Sequence, residues 1–220
     1  MDSDSSSDVA AFILAGGKST RMGTDKAFVP LDGRTLLTRS LELAQSVTSN
    51  VRIVGDPAKF AAFAPVVDDI FPGCGPLGGI HAALRASSAE LNLMLAVDVP
   101  FLSAALLEYL IGRARNSPSA IVTVAQTERG WQPLCAVYRR EFADAAEQAL
   151  HAGRYKIDAL FDDSRTQVVS EDELIAAGFT PTMFRNLNTA ADVEEAGGEF
   201  AMHPSGENAE ILRGKQRRSG

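Results

Sequence analysis

In "FILAGGKSTRMGTDKA", residues 12 to 27, two glycines are followed by three cations: Gly16 and Gly17, then Lys18, Arg21 and Lys26. That pattern suits a phosphate. Without Cβ atoms the glycines let backbone amides come close to a base or phosphate. Arg21 can fork onto phosphate oxygens, and Lys26 can act as a mobile point charge on them. The triplet Gly17-Lys18-Ser19 invites an ATPase P-loop, but such a loop needs another glycine five residues earlier, where this chain has Phe12. The structural alternative is a glycine turn with solvated charges. Gly23 and the apolar run just before the segment favour a site.

A carboxylate partner stands at Asp98, which closes "LMLAVDVP". At the mouth of a buried strand, beside a phosphate, it is what Mg²⁺ uses: one or two carboxylates with phosphate oxygens and water. Asp98 as a cap or turn residue is the other reading. Asp68 and Asp69 precede a second glycine loop, "FPGCGPLGGIHAAL", whose Gly73, Gly75 and Gly78 match a dinucleotide fingerprint, with Asp98 further on as a ribose acid. Against an NAD-binding module, Pro76 removes an amide inside the turn and "IFPG" breaks the strand that should lead into it. Gly75 and Gly78 then read as a second loop touching the ligand at a helix N-terminus. In "FRNLNTAADVEEA", Asn186 and Asn188 fall on one face of an expected strand, with Asn188 or Thr189 as a helix cap the alternative. Trp131 and Gln132 belong either to a rim or to packing.

These residues need a scaffold that gathers loop ends. Short apolar runs at 9–15, 51–54, 93–97, 120–125, 134–138 and 166–169 predict strands. Between them Leu36, Leu37, Ser40, Leu41 and Ala44 recur at helical spacing, as do Leu106, Leu107, Leu110 and Ile111. Near-continuous apolar strands require cover on both faces. The expected class is therefore α/β, three-layer, a mostly parallel sheet with helices on both faces. Ligands of such sheets bind beyond the strand C-termini, where "AGGKSTRMG" and "DVP" both fall. A single domain is expected over residues 9–198, after a disordered leader at 1–8 and before a flexible basic tail at 199–220.

Composition narrows the classes further. The 220 residues carry a formal charge of −7, which leaves no broad electrostatic footprint for nucleic acid. The acidic, serine-rich start is unlike an export signal, so a cytoplasmic protein is expected. No apolar run nears the ~20 residues of a membrane span. Two cysteines and three scattered histidines supply neither a disulfide framework nor a soft-ligand metal cage.

Together, "LAGGKSTRMGTDKA", "GPLGGI" at 75–80, "DVPFL" at 98–102, "QPLCAVY" at 132–138 and "NLNT" at 186–189 resemble the molybdenum cofactor guanylyltransferases, within the nucleotidyltransferase group of Rossmann-like folds. The first segment is the specific one. The resemblance implies that Leu14, Ala15, Gly16 and Gly17 line the guanine and ribose site, that Arg21 and Lys26 hold the triphosphate, that Asp69 contacts the nucleoside and that Asp98 ligates Mg²⁺. Asn186 and Asn188 would lie near metal and acceptor, with Gly75 and Gly78 behind them. The implied reaction is transfer of GMP from GTP to the terminal phosphate of molybdenum-bound molybdopterin, with pyrophosphate released. Related cytidylyltransferases carry Leu-Ala-Ala-Gly, so Gly16 favours the guanine branch by leaving room for a purine. CTP or another phosphorylated acceptor is the same-class alternative. Two positions depart from the family pattern: Ala190 replaces a proline after Asn-x-Asn-Thr, and "VGD" at 54–56 lacks an asparagine found in some members. The basic tail reads as solvated, with transient docking to cofactor-synthesis or recipient proteins as the alternative.

Overall fold

The computed structural model describes residues 8–16 and 25–202. In chain order the strands are β1 (Val9–Leu14), β2 (Pro30–Leu31), β3 (Arg34–Thr35), β4 (Val51–Val54), β5 (Val66–Val67), β6 (Leu91–Ala96), β7 (Val122–Thr127), β8 (Gly130–Tyr138) and β9 (Thr166–Ser170). The helices are α1 (Leu36–Gln45), α2 (Pro57–Phe60), α3 (Pro76–Ala86), α4 (Ala104–Arg115), α5 (Phe142–His151), α6 (Glu171–Ala176) and α7 (Ala190–Met202). Seven strands form one sheet in the order β5-β4-β1-β6-β8-β7-β9, and β2 and β3 make a separate hairpin. β5, β4, β1 and β6 run parallel, as do β7 and β9, while β8 runs antiparallel to both its neighbours.

Alternation along β1 explains why both faces are covered. Val9, Ala11, Ile13 and Ala15 enter one core with α1, α4, α6 and α7, whereas Ala10, Phe12 and Leu14 enter the other with α3 and α5. Every residue of β1 is buried, which is the three-layer, mostly parallel arrangement expected from the sequence. Caps set the helix starts: Thr35 and Ser103 accept amides of the first turns of α1 and α4. The chain leaves β1 for β4 on one side and reaches β6 on the other, so the C-terminal end of β1 is the switch point of the sheet.

Several sequence expectations shift. β8 begins four residues before the expected 134, because Gly130 (φ 104°) closes a hairpin in which Thr127 pairs with Gly130 and Gln126 with Trp131. Asn186 and Asn188 do not lie on a paired strand. The segment carries no strand pairing, and its Leu187 amide donates to the Asp98 carbonyl at 2.9 Å. Period-two alternation survives there, with Leu187 buried and both asparagines exposed. At the ends, the Asp8 carbonyl accepts the Leu91 amide at 3.1 Å, so Asp8 belongs to the fold. The boundary expected at 199 falls inside α7, which runs on to Met202 and packs Phe200 against Phe101. The remainder of both expected termini, 1–7 and 203–220, lies outside the described residues. Among the described residues no helix is long and apolar enough to cross a membrane.

Candidate active site

Three segments far apart in sequence meet at the C-terminal edge of the parallel strands. Leu14 is in register with Val54 of β4 and Ala96 of β6, so Gly16 and Asp98, each two residues further, leave the sheet side by side. Gly16 is exposed, and among the described residues the nearest atom to a Cβ built there is the Val54 carbonyl oxygen at 3.8 Å. Lys26 starts a 3₁₀ turn, Lys26–Phe28. Its Nζ donates to Asp98 Oδ2 at 2.7 Å and to Asn188 Oδ1 at 2.9 Å. Since an ammonium only donates, both oxygens must face it.

The turn that presents Lys26 is itself held. Asp25 accepts the Ala27 amide through Oδ1 at 3.2 Å and pairs through Oδ2 with Lys59 of α2 at 2.8 Å. That support was not singled out in the sequence. The Asp-Lys order inside "GTDKA", with an N-cap residue just before a cation, is the signal that could have found it. On the third segment, Thr189 and Asp192 cap α7 reciprocally: Thr189 Oγ1 accepts the Asp192 amide, and Asp192 Oδ2 accepts the amides of Asn188 and Thr189. Those amides hold the Asp192 carboxyl below its usual range. Capping therefore falls to Thr189, which leaves the Asn188 side chain facing Lys26. Asn186, like Asn188, is exposed.

A second wall lies on the α3 side. Asp69 Oδ1 accepts the Phe71 amide at 2.9 Å, and a Cβ on Gly78 would come within 3.0 Å of the Phe71 carbonyl oxygen and 3.1 Å of Asp69 Oδ1. A Cβ on Gly79 would come within 3.2 Å of Leu14 Cδ2. Leu14 and Asp69 thus converge on the first turns of α3, and Gly78 is a glycine for helix-to-loop packing. Gly75 holds φ 71° ahead of Pro76 as the N-cap position of α3. The dinucleotide alternative loses its support, because β5 is only two residues long and the third glycine of the fingerprint is buried under Asp69. Ala15 is buried, and its amide donates to the Val54 carbonyl at 3.1 Å. Gln132 donates to Thr127 Oγ1 and the Gly130 carbonyl, closing the β7–β8 hairpin, and Trp131 packs edge-on against Phe161. Gly17 and Arg21, with Lys18 and Gly23, lie outside the described residues.

One carboxylate and one amide oxygen sharing a cation form a hard donor pair. Such a pair fits a divalent ion that completes its shell with phosphate oxygens and water. Among the described residues no group of three or more His, Cys, Asp or Glu side chains forms a closed metal cage. An oxygen-lined cation position beside a glycine exit can hold positive charge against phosphate oxygens and offset their negative charge.

Comparison with known proteins identifies the family. The MobA-like NTP transferase domain matches residues 11–168. A molybdenum cofactor guanylyltransferase of Desulfosudis oleivorans is 37% identical over 191 residues, covering 86% of this chain and 94% of the relative. One of Syntrophotalea carbinolica is 33% identical over 190 residues, covering 84% and 89%. Among solved structures, molybdopterin-guanine dinucleotide biosynthesis protein A of Archaeoglobus fulgidus superposes with a TM-score of 0.76 at 25% identity, covering 88% of this chain and 99% of that one. The chain belongs to the molybdenum cofactor guanylyltransferase family of MobA-like NTP transferases, and it is a nucleotidyltransferase.

Proposed function

We propose that the protein transfers GMP from GTP to the terminal phosphate of molybdenum-bound molybdopterin, with the Lys26, Asp98 and Asn188 contact at the centre of the chemistry. The observation that carries this reading is the meeting of those three side chains beside Gly16. An oxygen of the acceptor phosphate forms a bond to the α-phosphorus of GTP. The bond from that phosphorus to the bridging oxygen breaks, and pyrophosphate leaves with the electron pair. Attacking and leaving groups are both anions, so the protein acts mainly by placing them in line and by offsetting charge. Leu14, Ala15, Gly16 and Gly17 line the base and ribose, with Asp69 on the nucleoside. Lys26, with Arg21 five residues earlier in the sequence, neutralises the triphosphate. Gly75 supports the α3 end of the pocket, and Asn186 joins Asn188 on the acceptor side.

The residues that would hold Mg²⁺ are Asp98 and Asn188. When bound, the ion supplies Lewis-acid stabilisation of phosphate oxygens. Lys26 now occupies those oxygens, so its ammonium must turn from them to the triphosphate when the substrate arrives.

Thermal unfolding with GTP, CTP, ATP and NAD, each with and without Mg²⁺, tests the ligand assignment. A ligand at a hundred times its dissociation constant stabilises by ~2.7 kcal/mol, a shift of roughly 5–10 °C for a chain of this size. Stabilisation selective for GTP with Mg²⁺ is expected. A shift with CTP alone would move the assignment to cytidylyl transfer.

A further inference from the structure

Four side chains from four segments contact one another in series as one column. The Arg39 guanidinium of α1 sits 4.3 Å from the centre of the Phe200 ring. Phe200 of α7 stacks on Phe101, with centroids 5.3 Å apart and planes 7° from parallel. Arg185 covers the Phe101 ring at 4.4 Å. Both ends are anchored. Arg39 donates to the Leu31 carbonyl at 3.0 Å and pairs with Asp32 at 3.1 Å, while Arg185 pairs with Glu199 of α7 at 2.9 Å.

Chain position gives the column a use. Phe101 lies three residues after Asp98, and Arg185 three before Asn188. The Asp98 and Asn188 segments share the backbone bond from Leu187 to Asp98. They also meet through Phe101 and Arg185, and α7 joins that contact through Phe200. Stacking and cation–π contacts act at defined separations and orientations, so they set spacing more sharply than an unshaped apolar contact does.

We propose that Phe101, Arg185 and Phe200 are positioning residues whose column fixes the separation of Asp98 and Asn188, so that α7 serves the active site. The proposal rests on the reading of Asp98 and Asn188 as the cation-holding pair. The role of Phe200 is to keep the two segments at the spacing the shared cation needs.

The test uses the full chain and three variants, Phe200→Ala, Phe200→Leu and Phe200→Tyr, with Asp98→Asn as the control for the site itself. Mn²⁺ binding in the presence of GTP is followed by electron paramagnetic resonance, beside kcat, nucleotide KM and circular dichroism. Both Phe200→Ala and Phe200→Leu are expected to weaken Mn²⁺ binding and lower kcat by about tenfold, as lost support of a metal ligand does. Nucleotide KM should change by less than about twofold, the split expected when chemistry and not ground-state binding is affected. Phe200→Tyr, which keeps the ring, should retain both. Wild-type behaviour of Phe200→Leu would overturn the proposal, since apolar bulk alone would then suffice. If Phe200→Ala fails to fold, the comparison of Leu with Tyr decides. If Asp98→Asn also leaves Mn²⁺ binding unchanged, the reading of the pair falls, and the proposal with it.

Discussion

Replacing Asp98 by asparagine separates the chemistry of the site from its architecture. Lys26 Nζ stands 2.7 Å from Asp98 Oδ2, and the two side chains are 22% and 17% exposed. At that distance and an effective dielectric of about 20, the pair attracts by ~6 kcal/mol before desolvation is subtracted. Partial exposure and the cost of stripping water from both groups reduce the net value to ~1 kcal/mol. Asparagine keeps an oxygen able to face the ammonium, and the backbone bond from Leu187 to residue 98 does not involve the side chain. The melting midpoint should therefore fall by no more than about 2–4 °C. Turnover should fall by at least ~10²-fold, the scale of a lost electrostatic group. Differential scanning fluorimetry and single-turnover pyrophosphate release measure the two effects on one preparation. Turnover within about threefold of wild type would remove Asp98 from the chemistry. A midpoint loss above about 10 °C would make the carboxylate a structural element first.

Further outcomes follow from the glycines, the buried histidine and the thiols. Gly78→Ala pushes a Cβ to 3.0 Å from the Phe71 carbonyl and 3.1 Å from Asp69 Oδ1. It should cost ~1–3 kcal/mol and raise nucleotide KM by displacing Asp69, as urea unfolding and steady-state kinetics will report. For Gly16→Ala the nearest contact of the new Cβ among the described residues is at 3.8 Å, so it should leave stability within ~0.5 kcal/mol while weakening GTP binding by titration calorimetry. His81 is 2% exposed, and burial pushes its imidazole pKa down, against the opposing pull of Glu147. The unfolded chain, at about 6.5, then takes up a proton the folded chain resists. Stability should be full above that pH and decline as pH falls toward the lower folded value, and His81→Leu should flatten this part of the urea-unfolding profile. Cys135 is buried with its thiol pushed up to about 12, whereas Cys74 is half-buried, so native protein should take up one equivalent of a disulfide reagent promptly and the second on unfolding.

The layered α/β fold was legible because the central strands are rich in apolar residues, β1 wholly so, and helical spacing lies between them, as Val9–Leu14 and Leu36–Ala44 illustrate. What pairing alone decides was not legible. β8 runs antiparallel and starts at Gly130, a consequence of the hairpin to β7 that no periodicity announces. Asp98, Lys26 and Asn188 were each singled out, but their shared contact spans positions far apart in sequence and is created by the sheet order. Asn188 and Thr189 both had a capping reading, and local hydrogen bonds give the cap to Thr189. The expected tail began at 199 because glycines and polar residues mark that stretch, while the ring of Phe200 found a partner in Phe101 that local composition does not reveal.

Incubating the purified protein with molybdenum-loaded molybdopterin and GTP labelled at the α-phosphorus tests the central claim most directly. The account predicts that label passes to the pterin acceptor as its guanine dinucleotide, with one pyrophosphate released per transfer, and that Asp98→Asn and Lys26→Met abolish both signals. Transfer of label to no acceptor, or equal transfer by either variant, would contradict it.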